Sequence, residues 1–123
     1  MLHRFPNLRV GLLEGNCSWE PWLLHRLDEH YEWVGRAEFP ELTKPPSEYF
    51  TGNCYLSVEA DESPATYFID RFGDDQLLFS TDYPHGDSKF PHAVDTFLAM
   101  PFSDATKKKI LWDNCAKLYK LAG

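Results

Sequence analysis

Three short apolar runs, each followed by a helix-patterned stretch, constrain this chain most. Leu8 to Leu13 carries little polar interruption and ends at Glu14-Gly15-Asn16. Asn53 to Glu59 alternates, with Cys54, Leu56 and Val58 on one side and Tyr55, Ser57 and Glu59 on the other. Gln76 to Thr81 holds Leu77-Leu78-Phe79 and then turns polar. Runs of this length and content read as strands. Between the first two, Trp19, Trp22, Leu23, Arg26, Leu27, His30 and Val34 recur at helical spacing. That predicts an amphipathic helix over roughly Trp19 to Val34, with its tryptophans packed on a sheet. Ser18 is a candidate cap and Pro21 suits the first turn. The stretch Phe39 to Gly52, with Pro40, Pro45 and Pro46, predicts a loop with one short helix after Ser47. Ser63-Pro64 opens the next helix, and Gly73 ends it. After the third strand, Pro91 opens another, Ser103-Asp104 caps the next, and Asp113-Asn114 is expected to break it. Strand and helix in alternation mean an α/β fold with parallel strands and right-handed crossovers.

Folds of that class place their chemistry at the C-terminal ends of the strands. Each of the three runs is closed by a carboxylate: Glu14, Glu59 and Asp82. The last falls in Phe79-Ser-Thr-Asp-Tyr-Pro-His-Gly-Asp-Ser88, which crowds Asp82, Tyr83, His85 and Asp87 into a few positions. Asp and His are ligands of divalent metals and the usual general bases. An Asp-, Pro- and Gly-rich turn explains the same residues without any chemistry. Three separate strands with the same ending set that turn explanation and a genuine site on equal terms.

Composition narrows the partners. A net charge of −7 argues against nucleic acid. The run Lys107-Lys108-Lys109 reads as a solvated helix face. A chain with 43% hydrophobic and 15% aromatic residues is built to bury a core, and 123 residues suit a single domain over 1–123. No apolar stretch approaches the roughly 20 residues a bilayer requires, so no membrane partner is expected. Cys17, Cys54 and Cys115 form no Cys-x-x-Cys pair, which argues against a structural zinc site and for the reducing cytoplasm. His25 and His30 read as surface residues rather than ligands.

Four blocks in order carry a resemblance. They are Leu-Leu-Glu-Gly with Trp19-x-Pro21-x-x-x-x-Arg26-Leu27-Asp28, Pro46-Ser47-Glu48-Tyr49-Phe50, Ser80-Thr81-Asp82-Tyr83-Pro84-His85, and Ile110-Leu111-Trp112-Asp113-Asn114-Cys115-x-x-Leu118-Tyr119. Over nearly its whole length the chain resembles the C-terminal part of the amidohydrolase-related (amidohydrolase 2) proteins, metal-dependent hydrolases and decarboxylases of TIM-barrel fold. The resemblance implies a partial (β/α)8 barrel, about its last three parallel strands with their helices. It implies Asp82 as the metal ligand and a group for proton transfer. Glu14 stands where many members have a His, and His85 and Asp87 would border the pocket. The catalytic candidates are therefore Asp82, Glu14 and His85. The implied cofactor is a divalent metal, zinc foremost and manganese as the alternative. The implied activity is hydrolysis of a small-molecule substrate, with decarboxylation as the variant.

The family's His-x-His pair and the His after its fifth strand are absent. A whole barrel needs roughly 250 residues and eight strands. Three strands alone leave open edges and an uncovered apolar face. Two further expectations follow: a homo-oligomer or a missing N-terminal barrel half as partner, and a non-catalytic self-associating module, without metal, as the alternative function.

Overall fold

The computed structural model describes residues 1–121. Its strands are β1 (Val10–Leu12), β2 (Cys54–Val58) and β3 (Leu77–Phe79). They form one sheet in the order β1-β2-β3, parallel throughout. Val10 pairs with Cys54 and Leu12 with Leu56; Leu56 also faces Leu77, and Val58 faces Phe79. All strands therefore end on the same side. The α/β class and the partial barrel expected from the sequence are what the chain adopts.

Position in the sheet decides how each strand is buried. Along β2 every residue is buried, Tyr55 and Ser57 included, so the sequence alternation there does not become a wet and a dry face. Continuous burial is usual for parallel strands covered on both faces. Leu12, by contrast, is exposed on β1, whose outer edge is unpaired among the described residues.

Helix α1 (Glu20–His30) runs on through a π-type turn, Tyr31–Gly35, into the short α2 (Arg36–Glu38). Its tryptophans do not pack on the sheet. Trp19 is 38% exposed, Trp22 68% and Trp33 80%, while Glu20, Leu24 and Tyr31 are buried. At about 100° per residue, Trp22 and Trp33 lie roughly opposite Leu24, so burying the Leu24 stripe turns both indoles outward. Helix α3 (Pro46–Asn53) starts with Pro46 in its first turn. Helix α4 (Ala65–Phe72) follows β2, and Gly73 ends it at φ 84°, where a side chain would be strained.

After β3 come α5 (Ala93–Leu98), α6 (Asp104–Lys108) and α7 (Asn114–Tyr119). Ser103 caps α6 as expected, its Oγ accepting from the Thr106 amide at 3.1 Å. The expected break at Asp113-Asn114 does not occur. A π-type turn, Lys109–Asp113, joins α6 to α7. Asn114 stays helical because its amide nitrogen donates elsewhere, to the carbonyls of Asp74 at 2.7 Å and Leu77 at 2.8 Å. An Asn side chain engaged that way does not compete for its own backbone.

The core gathers Leu56, Val58 and Leu77 from the sheet with Cys17, Ala65, Phe68, Phe97 and Ile110. The strand ends and their loops rest on this packed base.

Candidate active site at the strand ends

Past β1, Glu14 and Asn16 adopt φ of 58° and 56°; past β3, Asp82 adopts 56°. Left-handed backbone at a non-glycine residue is uncommon, and such residues collect at functional sites. Small hydroxyls set the turn around Asp82. The Asp82 amide donates to Ser80 Oγ at 3.2 Å, and the Tyr83 amide to Thr81 Oγ at 3.4 Å.

A cavity of about 210 Å³ opens between the ends of β2 and β3. Glu59, Asp61, Asp82, Asp87 and Lys89 line it, with Ser80, Thr81 and Ser88. Burial pushes the Glu59 carboxyl above its usual range, and the charges of Asp82, Glu62, Asp87 and Asp61 push the same way. Lys89 pairs with Asp61 at 3.1 Å.

The three residues named from the sequence are placed differently. Asp82 lines the cavity. His85 lies beside it, its Nδ1 3.0 Å from Asp82 Oδ1. That hydrogen bond and the Asp82 charge raise the His85 pKa; Glu14 and Asp87 add to the rise, and partial desolvation opposes it. Glu14 does not line the cavity, although its charge reaches His85. The resemblance implies both His85 and Asp87 at the border of the pocket; Asp87 lines the cavity and His85 does not. Asp61, Glu62 and Lys89 were not singled out from the sequence. Their only sequence signal was proximity to Glu59 and Asp87, the carboxylates that end or follow strands.

Among the described residues, no three His, Cys, Asp or Glu side chains come together in a way that holds a metal ion. Asp82 is a single carboxylate donor, already bonded to His85. A metal centre at this rim therefore does not fit the present side chains alone, since catalytic zinc sites, for comparison, take three protein ligands.

The sequence profile described as Amidohydrolase matches residues 1–121. The chain belongs to the amidohydrolase family. Among its amidohydrolase relatives, a gamma-resorcylate decarboxylase of Polaromonas sp. (strain JS666) is 32% identical over 123 residues, covering 98% of this chain and 37% of the relative. A structure of a dihydroxybenzoic acid decarboxylase from Polaromonas sp. JS666, with bound manganese and the inhibitor 2-nitroresorcinol, superposes with a TM-score of 0.77 at 28% identity, over 98% of this chain and 36% of that one. A 5-carboxyvanillate decarboxylase from Sphingomonas paucimobilis shares the fold, with a TM-score of 0.77 at 24% identity over 98% and 36% of the two chains.

The chain thus spans about a third of the length of these relatives. The Polaromonas structure holds manganese, the alternative to the zinc put first from the sequence. The Polaromonas relatives are decarboxylases, the variant activity that the resemblance implied beside hydrolysis. No helix among the described residues is long and apolar enough to cross a membrane.

Proposed function

We propose that this chain forms the last three strands of a metal-dependent decarboxylase barrel acting on a small hydroxylated aromatic acid. The observation that supports this most is the Asp82–His85 pair, held at the end of β3 by a left-handed backbone, in a chain 32% identical to a gamma-resorcylate decarboxylase. Asp82 serves as one ligand of a divalent ion, with manganese the first choice. The remaining ligands come from a segment beyond this chain or from further copies of it.

Decarboxylation replaces a ring carboxylate by hydrogen, so a proton must reach the ring carbon. His85, which Asp82 keeps protonated to higher pH, is a holder of that proton on this chain. Glu14 adds negative charge on the same side. A neighbouring segment that completes the barrel, or further copies of the chain, would cover the open edges of β1 and β3.

The test is manganese binding by calorimetry on the completed barrel, the chain joined to the segment that supplies the missing ligands, with loss of 2,6-dihydroxybenzoate followed by absorbance. One solved relative is a 2,6-dihydroxybenzoate decarboxylase from Rhizobium. Asp82→Ala should abolish both signals. Equal manganese binding before and after the substitution refutes the assignment.

A second reading is a non-catalytic module that associates with itself. The exposed Leu12 and Leu13 beside the unpaired edge of β1 favour it. Light scattering that shows an oligomer, with no metal bound and no change on Asp82→Ala, would select it.

A further inference from the structure

The rim described above is spread over loops from separate strands, and something must hold those loops in one arrangement. Glu62 lies just beyond β2 and is only 8% exposed. One of its oxygens serves the loop after β1. Oε1 accepts from the Cys17 amide at 2.9 Å, from the Ser18 amide at 2.8 Å, and from the Ser18 hydroxyl. The other serves the end of β2, where Oε2 accepts from the Glu59 amide at 3.3 Å. A single buried carboxylate therefore joins the loop that carries Glu14 to the residue that lines the cavity.

We infer that Glu62 is a positioning residue for this site: it holds the Glu14 loop and Glu59 in the arrangement in which the charge of Glu14 reaches His85 and that of Asp82 reaches Glu59. The inference rests on the reading of that rim as an active site.

Physical chemistry favours the role. The loop from Glu14 to Ser18 contains two left-handed residues, Glu14 and Asn16, and such backbone persists only where surrounding contacts over-determine it. The amides of Cys17 and Ser18 precede α1, where donors lack intrahelical partners. A carboxylate there accepts charge-assisted hydrogen bonds, which are about twice as strong as neutral ones. Ser18, expected from the sequence to cap α1, gives its hydroxyl to Glu62 instead. Cys17 itself belongs to the packed core. Burial first, and then the Glu62 charge, push its thiol far above the ordinary range, so it remains protonated and inert.

The test is amide hydrogen exchange and side-chain carboxyl NMR on the chain and four variants. Glu62→Gln should speed exchange at Cys17 and Ser18 by about tenfold or more, the loss expected for hydrogen bonds to a charged acceptor. The carboxyl signals of Glu14 and Glu59 should shift, while Leu56 and Leu77 amides keep their protection. Glu62→Asp keeps the charge but is one methylene shorter; it should release one loop and keep the other. Ser18→Ala should leave Cys17 protected. A uniform loss of protection across β2 and β3 in both Glu62 variants would show a merely structural role and overturn the inference. So would unchanged exchange at Cys17 and Ser18. Asp82→Asn should leave these two amides as they are, so failure of the decarboxylase reading and failure of the Glu62 assignment give different results.

Discussion

Glu20 sits in the first turn of α1 with 0% exposure, and neither of its side-chain oxygens meets a hydrogen-bond partner among the described residues. Burial pushes its carboxyl from an ordinary 4.5 up to about 8. The folded chain therefore keeps Glu20 protonated at neutral pH, whereas the unfolded chain ionises it. Because the folded value is the higher one, the contribution of the protonated carboxyl is fully present below pH 4.5 and is lost as pH rises to about 8.

Each pKa unit of difference is worth about 1.4 kcal/mol, so the complete loss is about 5 kcal/mol. Between pH 5 and 8 it is about 3 to 4 kcal/mol, a large share of the roughly 5–15 kcal/mol that holds a typical domain folded. Ionisation of Glu20 would act on the two thiols it faces, since its charge raises the pKa of both Cys17 and Cys54. Those thiols stay neutral and offer no compensating charge.

The measurement is urea unfolding of the wild type and of Glu20→Gln at a series of pH values. The difference between the two isolates Glu20 from other titrating groups. Wild type should lose stability relative to Glu20→Gln by about 3 to 4 kcal/mol from pH 5 to 8. Glu20→Leu should be the most stable of the three at pH 8, because it removes an unpartnered polar group worth about 1–3 kcal/mol. If wild type and Glu20→Gln differ by the same amount at every pH, Glu20 is not held neutral by burial and the reasoning fails.

Two other outcomes are expected. In protein freed of metal, Asp82→Asn should bring the His85 pKa down towards its ordinary 6.5, and Glu14→Gln should lower it less, because Asp82 is the leading cause of the rise; NMR titration of the imidazole reads both, and an unmoved midpoint in Asp82→Asn would contradict the pair. Asn114→Ala should cost about 2–4 kcal/mol in urea unfolding, because it strips the Asp74 and Leu77 carbonyls of their shared donor; a loss below about 0.5 kcal/mol, the usual surface effect, would mean the two hydrogen bonds contribute little.

Local pattern carried much of the fold and the place of its chemistry. Apolar runs around Val10, Leu56 and Leu78, separated by helix signals, dictate parallel strands, since a crossover helix returns the chain to the same end of the sheet. That alone brings Glu14, Glu59 and Asp82 to one end. Ser103 was legible as a cap because capping depends on a few adjacent residues. What the chain alone did not reveal depends on contacts between distant residues. The indoles of Trp22 and Trp33 face outward because the helix buries the Leu24 side, a choice made only when α1 docks. Asn114 remains helical because its partners lie nearly 40 positions away. Glu62 becomes a bridge, and Glu20 a stranded acid, only once folding has excluded water around them. A carboxylate in sequence is only a residue type; its pKa and its bonds belong to the surroundings that the tertiary structure supplies.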